Sequence, residues 1–124
     1  MIHENFNYTT LDITDREAVI KCVKAFVPDT IIHSAAITQV DDCELNKSFC
    51  YSVNVDGTKN IIDAAKEVDA RICYLSTDFV FDGEKGNYSE EDEVGPLSVY
   101  AQSKVDAEEL LLKGTDHNFS IVRT

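Results

Sequence analysis

Apolar residues recur at spacings of three and four in three stretches of the chain, and short β-branched runs stand between them. In TLDITDREAVIKCVKAFVPD, Ala18, Val19, Cys22, Val23 and Phe26 fall on one side of a helical projection. Thr14 and Glu17 have the spacing of a capping box that opens this helix, and Pro28 closes it. From about Asp42 to Val68 the same periodicity aligns Cys50, Val53, Gly57, Ile61, Ala64, Ala65 and Val68, with the polar Asn54 among them. A third helix, SVYAQSKVDAEELLLK, takes Ser98 as its N-cap and Gly114 as its stop.

The runs DTIIHSAA, ARICYLSTDFVF and NFSIVRT read as strands. The first ends in Ser34, Ala35 and Ala36, small residues of the kind that lie beside a ligand where a buried parallel strand gives way to a loop. Between the second strand and the third helix, GEKGNYSEEDEVGP has the turn residues and charges of an exposed excursion. Alternating strands and helices predict a parallel α/β sheet with right-handed crossovers. A dinucleotide-binding fold of this kind opens with a strand, a Gly-rich turn and a helix whose first amides hold the pyrophosphate. The five glycines, Gly57, Gly83, Gly86, Gly95 and Gly114, do not stand in that position. The expected architecture is therefore a partial Rossmann-like sheet of about four strands and three main helices, without the first βαβ unit.

Composition narrows the function classes. A chain of 124 residues supports one domain with one core, and 44% apolar with 27% charged residues is ordinary for a packed globular protein. Eleven basic against twenty-three acidic side chains give a net charge of -12. That sign excludes a general binder of nucleic acid or anionic membrane, so any phosphate must be held by local donors. Cys22, Cys43, Cys50 and Cys73 are scattered without a CxxC pair and read as buried thiols of a reducing compartment, not as zinc ligands or a disulfide framework. No apolar run approaches the roughly 20 residues of a membrane span, and MIHENFNYTT lacks the blocks of a signal peptide. A cytoplasmic location is expected.

Residues that could carry chemistry cluster at the strand ends. In VYAQSK, Tyr100 and Lys104 are one helical turn apart and can point into one cleft. A nearby ammonium favours a phenolate, drawing a phenol down from about 10 toward a range useful for general acid work on a carbonyl or alcohol. On spacing alone, such a pair is more often two surface neighbours. In LSTDFVF, Ser76, Thr77 and Asp78 stand at the carboxyl end of a strand, where a hydroxyl can hold a substrate oxygen or simply turn the chain. Asn54 needs a partner on its apolar face, in a structural or an active-site role. His33 reads as a strand residue with a satisfied ring, and the acidic run Glu90 to Glu93 as solvated loop; no metal site is expected.

Together these segments resemble the extended short-chain dehydrogenases/reductases, and within them the dTDP-4-dehydrorhamnose reductase family. The likeness runs through LDITD (11–15), PDTIIHSAAITQVDDCE (28–44), YSVNVDGTKN (51–60), STDFVFDGEKGNYSEED (76–92), PLSVYAQSK (96–104) and IVRT (121–124). STDFVFDG is the most specific string, whereas Tyr-x-x-x-Lys marks only the superfamily. The resemblance implies reduction of the 4-keto group of a dTDP-deoxysugar, dTDP-4-keto-6-deoxy-L-mannose or a related nucleotide sugar, by NADPH or NADH. It implies that Tyr100 protonates the developing alkoxide, that Lys104 tunes Tyr100 and binds the nicotinamide ribose, and that Thr77 holds the sugar oxygen. Asp12 and Ile13 match the pair against the adenosine. Ala35, Ala36, Ile37 and Thr38 match the loop lining cofactor and sugar, and Asn54 matches the helix asparagine that supports the site. Thr38, Thr77, Asp78 and Phe79 fall on the sugar side, with Phe79 where the family mostly has Tyr and Ala101 replacing a frequent Gly.

The resemblance also implies an internal fragment, beginning after the family's first strand, Gly-rich turn, first helix and second strand, and stopping before the segments that complete the sugar pocket. A strand ending at Leu11 would then be separated from the HSAA strand by two missing strands, leaving an apolar edge at Ile31 and Ile32 for a second copy or a partner chain to cover. Other readings are a non-catalytic interaction protein similar to the β subunit of methionine adenosyltransferase, a fragment of another nucleotide-sugar epimerase or dehydratase, and an inactive remnant.

Overall fold

The computed structural model describes residues 6–114 and 118–124. Among them three strands form one parallel sheet in the order β1-β2-β3: β1 Thr30–His33, β2 Arg71–Ser76 and β3 Phe119–Arg123. Ile32 lies opposite Cys73, and Cys73 opposite Ser120. The expected strand ending at Leu11 does not form; residues 6–12 are irregular, which leaves β1 as the sheet's edge. Ile32 is 70% exposed because, alternating with the inward Ile31 and His33, it points to the sheet face that α4 and α5 leave uncovered.

Helix α1, Arg16–Phe26, starts one residue later than the capping-box reading predicts. Asp15 is the N-cap, its carboxylate accepting from the Ala18 N–H at 3.0 Å, while the Thr14 hydroxyl and amide turn back to Asp12. The helix stops ahead of Pro28, as expected, with Val27 taking a left-handed conformation (φ 50°) that a β-branched residue rarely adopts. Val19 and Val23 are buried, but Phe26 projects into solvent at the last turn and does not join the core.

The long helical pattern from Asp42 to Val68 is broken into pieces. Helix α2 spans Val40–Leu45, α3 Lys47–Tyr51, a π-helical turn Ser52–Asp56, and α4 Gly57–Val68. Asn46 interrupts the first two because its side chain caps α3, accepting from the Phe49 N–H at 3.0 Å. The π turn inserts an extra residue into the helical repeat, and this brings Asn54 inward, where it is 1% exposed. Helix α5, Val99–Gly114, opens as predicted with Ser98 Oγ accepting from the Ala101 N–H, and the Glu44 carboxylate of α2 accepts from the Val99 N–H.

Helices α4 and α5 cover one face of the sheet. Ile62 and Ala65 of α4, Ala107 and Leu111 of α5, and Ile72 and Tyr74 of β2 form that core, with α1 stacked outside α4 through Val19, Val23, Ile61 and Ala64. Among the described residues the buried apolar side chains include Val19, Ile61, Ile62, Ile72 and Leu111, and burial of such large side chains at about 1.5–3 kcal/mol each holds these layers together. No helix of the described residues is long and apolar enough to cross a membrane.

One cysteine expectation is corrected. Cys43 of α2 and Cys50 of α3 form a disulfide, with Cα atoms 5.1 Å apart, whereas Cys22 and Cys73 are free. Seven residues separate the pair in sequence, a spacing that matches no redox motif; the break at Asn46 folds the two short helices so that both sulfurs meet in a fully buried cluster against Tyr100.

Candidate functional site

The carboxyl ends of β1 and β2 and the first half of α5 meet at one rim of the sheet. β1 runs out at His33 into the loop 34–39, in which Ala35 and Thr38 are exposed and Ala36 and Ile37 half-buried. β2 runs out at Ser76 into Thr77, which caps a 3-10 turn, Asp78–Val80. The Thr77 hydroxyl oxygen accepts from the Phe79 N–H at 3.1 Å, so the turn-forming role open to Thr77 in sequence is one that it performs. That bond uses a lone pair, while the hydroxyl hydrogen is directed at Asp78 Oδ1 in a long 3.5 Å contact that a substrate oxygen would have to replace. Asp78 and Phe79 lie outside it, exposed, and the Phe79 ring meets Tyr100 edge to face at 6.1 Å.

Tyr100 and Lys104 are not surface neighbours. Tyr100 is 8% and Lys104 3% exposed. Lys104 Nζ donates to the Leu75 carbonyl at 2.7 Å and stands 4.2 Å above the Tyr74 ring, so the ammonium is fixed beneath the end of β2, two residues before Thr77. Burial lowers its pKa to about 8, with the charge of Glu108 opposing part of that effect. An ammonium has three donors, and the Leu75 carbonyl takes one.

Asn54 connects the two sides of the site. Its Oδ1 accepts from the Ile37 N–H at 2.7 Å, and its Nδ2 donates to the Ile37 carbonyl at 3.0 Å and to Ser103 Oγ at 2.9 Å. The Ser103 hydroxyl in turn donates to the Tyr100 carbonyl at 2.7 Å. The loop after β1 is thereby tied to the turn of α5 that carries Tyr100 and Lys104. His33 is a satisfied strand residue, as its sequence setting predicts. The Thr58 hydroxyl donates to the Asn54 carbonyl, so the 2.8 Å contact between Thr58 Oγ1 and His33 Nε2 is donated by the imidazole, which fixes the Nε2–H tautomer. Burial, then Lys104, lowers the His33 pKa to about 4, so the ring is neutral at physiological pH.

Asp12 and Ile13 are held elsewhere, by α4. Asn60 Nδ2 donates to the Ile13 carbonyl, and the Ile13 side chain fills the space over Gly57, where an added Cβ would lie 2.6 Å from Cδ1. Gly57 is thus a close-approach glycine, three residues beyond Asn54 on the same helical stretch.

Sequence spacing passed over Glu108 and Arg123. Glu108 Oε1 accepts from Ser76 Oγ at 2.5 Å and from Arg123 Nε at 3.0 Å, and Oε2 from an Arg123 terminal nitrogen at 2.6 Å. The available signal was the i+4 step from Lys104, which places a carboxylate on the buried face of α5. The polar loop 82–97 is less plain than its composition indicates: Phe81 and Tyr88 stack at 4.4 Å, and Asp92 accepts from Lys85 and Ser89.

A buried tyrosine, an ammonium held by a carbonyl and a hydroxyl at a strand's carboxyl end are groups of the kind that can donate to a carbonyl oxygen. The match to the family model described as the RmlD substrate binding domain extends over residues 3–124. The chain belongs to the RmlD substrate binding domain family. Among RmlD-type relatives, a dTDP-4-dehydrorhamnose reductase of Aggregatibacter actinomycetemcomitans is 45% identical over 107 residues, covering 86% of this chain and 36% of that protein. The crystal structure of dTDP-4-dehydrorhamnose reductase from Bacillus anthracis in complex with NADP superimposes with a TM-score of 0.87 at 35% identity, covering 91% of this chain and 40% of that one. Methionine adenosyltransferase 2 subunit beta of Pongo abelii is 34% identical over 106 residues, covering 86% of this chain and 32% of its own. The chain thus spans about a third of the length of the curated relatives that it matches.

Proposed function

We propose that this chain is the proton-transfer segment of an NAD(P)H-dependent reductase of the dTDP-4-dehydrorhamnose reductase type, a single partial Rossmann-like domain acting on dTDP-4-keto-6-deoxy-L-mannose. The observation that carries the reading is the position of Lys104, buried, bound to the Leu75 carbonyl at 2.7 Å and one turn from Tyr100, with Thr77 following at the same strand end. Thr77 donates to the sugar's carbonyl oxygen and orients it. Tyr100 delivers the proton as that oxygen becomes an alkoxide, and Lys104 provides the positive charge that favours loss of the phenolic proton.

The residues present fit one half of a nicotinamide dinucleotide. Lys104 and Tyr100 meet the nicotinamide ribose, the open loop of Ala35, Ala36, Ile37 and Thr38 admits the backbone close to the cofactor, with Asn54 holding that loop, and Asp12 with Ile13 faces the adenosine. The cofactor supplies the hydride when bound. The NADP in the Bacillus anthracis relative favours NADPH over NADH. A Gly-rich pyrophosphate turn does not occur in these 124 residues, so the isolated chain binds NADPH weakly or not at all. Asp78 and Phe79 face the sugar, and the unpaired outer side of β1 supports pairing with a further strand from a second copy or another chain. A cytoplasmic setting is part of the same reading, in which the buried Cys43–Cys50 disulfide is an exception to the reduced state of thiols there.

The test is turnover of dTDP-4-keto-6-deoxy-L-mannose by the full-length protein with NADPH. Tyr100→Phe should lower kcat by about 10²-fold or more, the ordinary contribution of a general acid. Undiminished turnover in that variant would sink the assignment. Absence of turnover together with copurification of a methionine adenosyltransferase would instead support an interaction role, against which the intact Thr77, Tyr100 and Lys104 stand. Micromolar NADPH affinity in calorimetry of the isolated chain would overturn the weak-binding statement.

A further inference from the structure

The reductase reading gives no work to Glu108, yet this carboxylate is 3% exposed and sits where three elements meet. It accepts from Ser76, the last residue of β2, and is gripped on both oxygens by Arg123 of β3. Ser76 lies between Leu75, whose carbonyl holds Lys104, and Thr77. Its own carbonyl accepts from the Thr124 hydroxyl, and the Asp78 N–H donates to the Thr124 carbonyl, so the strand end is fastened on both sides. Arg123 also reaches the polar loop: its guanidinium lies 5.1 Å from the Phe81 ring centre and donates to the Glu90 carbonyl at 3.3 Å. One ion pair, its carboxylate buried and its guanidinium partly exposed, therefore joins α5, the ends of β2 and β3, and the loop that borders Asp78 and Phe79.

The geometry points to Glu108, paired with Arg123, as the positioning residue of this site, setting the height of the β2 end so that Thr77 and Lys104 hold their places beside Tyr100. The inference rests on the proposed reductase function. It is a positioning role, since Glu108 touches neither substrate nor cofactor. A buried pair is costly to assemble and is weak evidence for stability alone, whereas a displacement of about 1 Å at a reacting group can cost on the order of 10²-fold in rate. Electrostatics act in the same direction. The charged and titratable groups facing Lys104 are His33 on β1, Tyr74 on β2, Tyr100 and Glu108 on α5, and Arg123 behind Glu108; among them the Glu108 carboxylate favours the ammonium.

The experiment uses the full-length protein, with Glu108→Gln, Glu108→Asp and Ser76→Ala, read by steady-state kinetics and by NMR titration of Lys104 through 13Cε-labelled lysine. Glu108→Gln should lower kcat by at least tenfold with the KM for NADPH within about twofold, and move the Lys104 midpoint downward by roughly half a pH unit or more. Glu108→Asp, which keeps the charge, should restore the midpoint and only part of kcat. Ser76→Ala removes a single hydroxyl arm and serves if Glu108→Gln does not fold; it should lower kcat about tenfold. Folded variants with wild-type kcat and an unmoved Lys104 midpoint would overturn the proposal, whatever their melting temperature. A wild-type protein that turns over no keto-sugar would overturn the reductase reading instead, and the Lys104 titration would then decide on Glu108 by itself.

Discussion

Replacing Lys104 by Met isolates what the buried ammonium costs the fold. Met has nearly the same length and keeps the stem packed over Tyr74, but removes the charge and the bond to the Leu75 carbonyl. The pKa of Lys104 falls from 10.5 to about 8, chiefly through burial. At about 1.4 kcal/mol per tenfold change in proton affinity, the folded state carries a penalty of roughly 3 kcal/mol wherever both folded and unfolded chains are protonated, that is, below pH 8. Against it, Lys104→Met leaves the Leu75 carbonyl without its donor, at about 1–3 kcal/mol. The variant should therefore be as stable as wild type at pH 7, or more stable by up to about 2 kcal/mol. Between pH 8 and 10.5 the unfolded wild-type chain binds a proton that the folded chain has released, so wild-type stability rises with pH relative to the variant. The difference between the two should change by roughly 3 kcal/mol across that window in favour of wild type. Urea unfolding followed by circular dichroism at pH 7 and at pH 10 measures it. A variant destabilised by more than about 2 kcal/mol at pH 7, or a difference that is flat with pH, would refute the reasoning. In the full-length protein the same substitution should abolish most turnover, the trade of stability for function expected at a strained site.

His33, neutral in the fold with a pKa of about 4 against 6.5 unfolded, should withdraw roughly 3 kcal/mol of stability as pH falls through that interval, because the unfolded chain takes up the proton first; His33→Gln should flatten the acid limb of a melting-temperature profile. Asn54→Ala strands both polar groups of Ile37 and should cost about 3 kcal/mol in urea unfolding, and Asn54→Asp, which keeps the acceptor for the Ile37 N–H but sets a buried carboxylate oxygen against the Ile37 carbonyl, should cost at least as much at neutral pH. Alkylation of the denatured, unreduced chain should label only Cys22 and Cys73 by mass spectrometry, and reduction of Cys43–Cys50 should lower stability by about 2 kcal/mol, as closure of so short a loop predicts.

The periodicities of α1, α4 and α5 and the β-branched runs were legible because each depends on a local repeat: which residues of a helix or strand face the core follows from their own spacing. The Ser98 cap and the stop at Pro28 were legible for the same reason, whereas Thr77, Tyr100 and Lys104 stood out as a trio only through the family resemblance. What failed locally did so where a partner distant in sequence decides. The strand up to Leu11 needs a neighbour to pair with, and none of the described strands lies beside it. The long helix from Asp42 breaks because Asn46 can cap a new start, and the π turn at residues 52–56 carries an inward Asn54 whose partners, Ile37 and Ser103, lie far from it in sequence.

The sequence by itself determined the layered α/β class, the sign of the surface charge and the residue types gathered at the carboxyl ends of the strands. Only the tertiary structure decided that Lys104 is buried with a carbonyl beneath it, that Cys43 meets Cys50, and that Glu108 binds Ser76 and Arg123. Hydrophobic patterning is a sum over neighbours along the chain, so it survives without the fold. A hydrogen bond or a depressed pKa depends on distances between segments up to about fifty residues apart, as Asn54 and Ser103 are, and these are fixed when the helices close over the sheet.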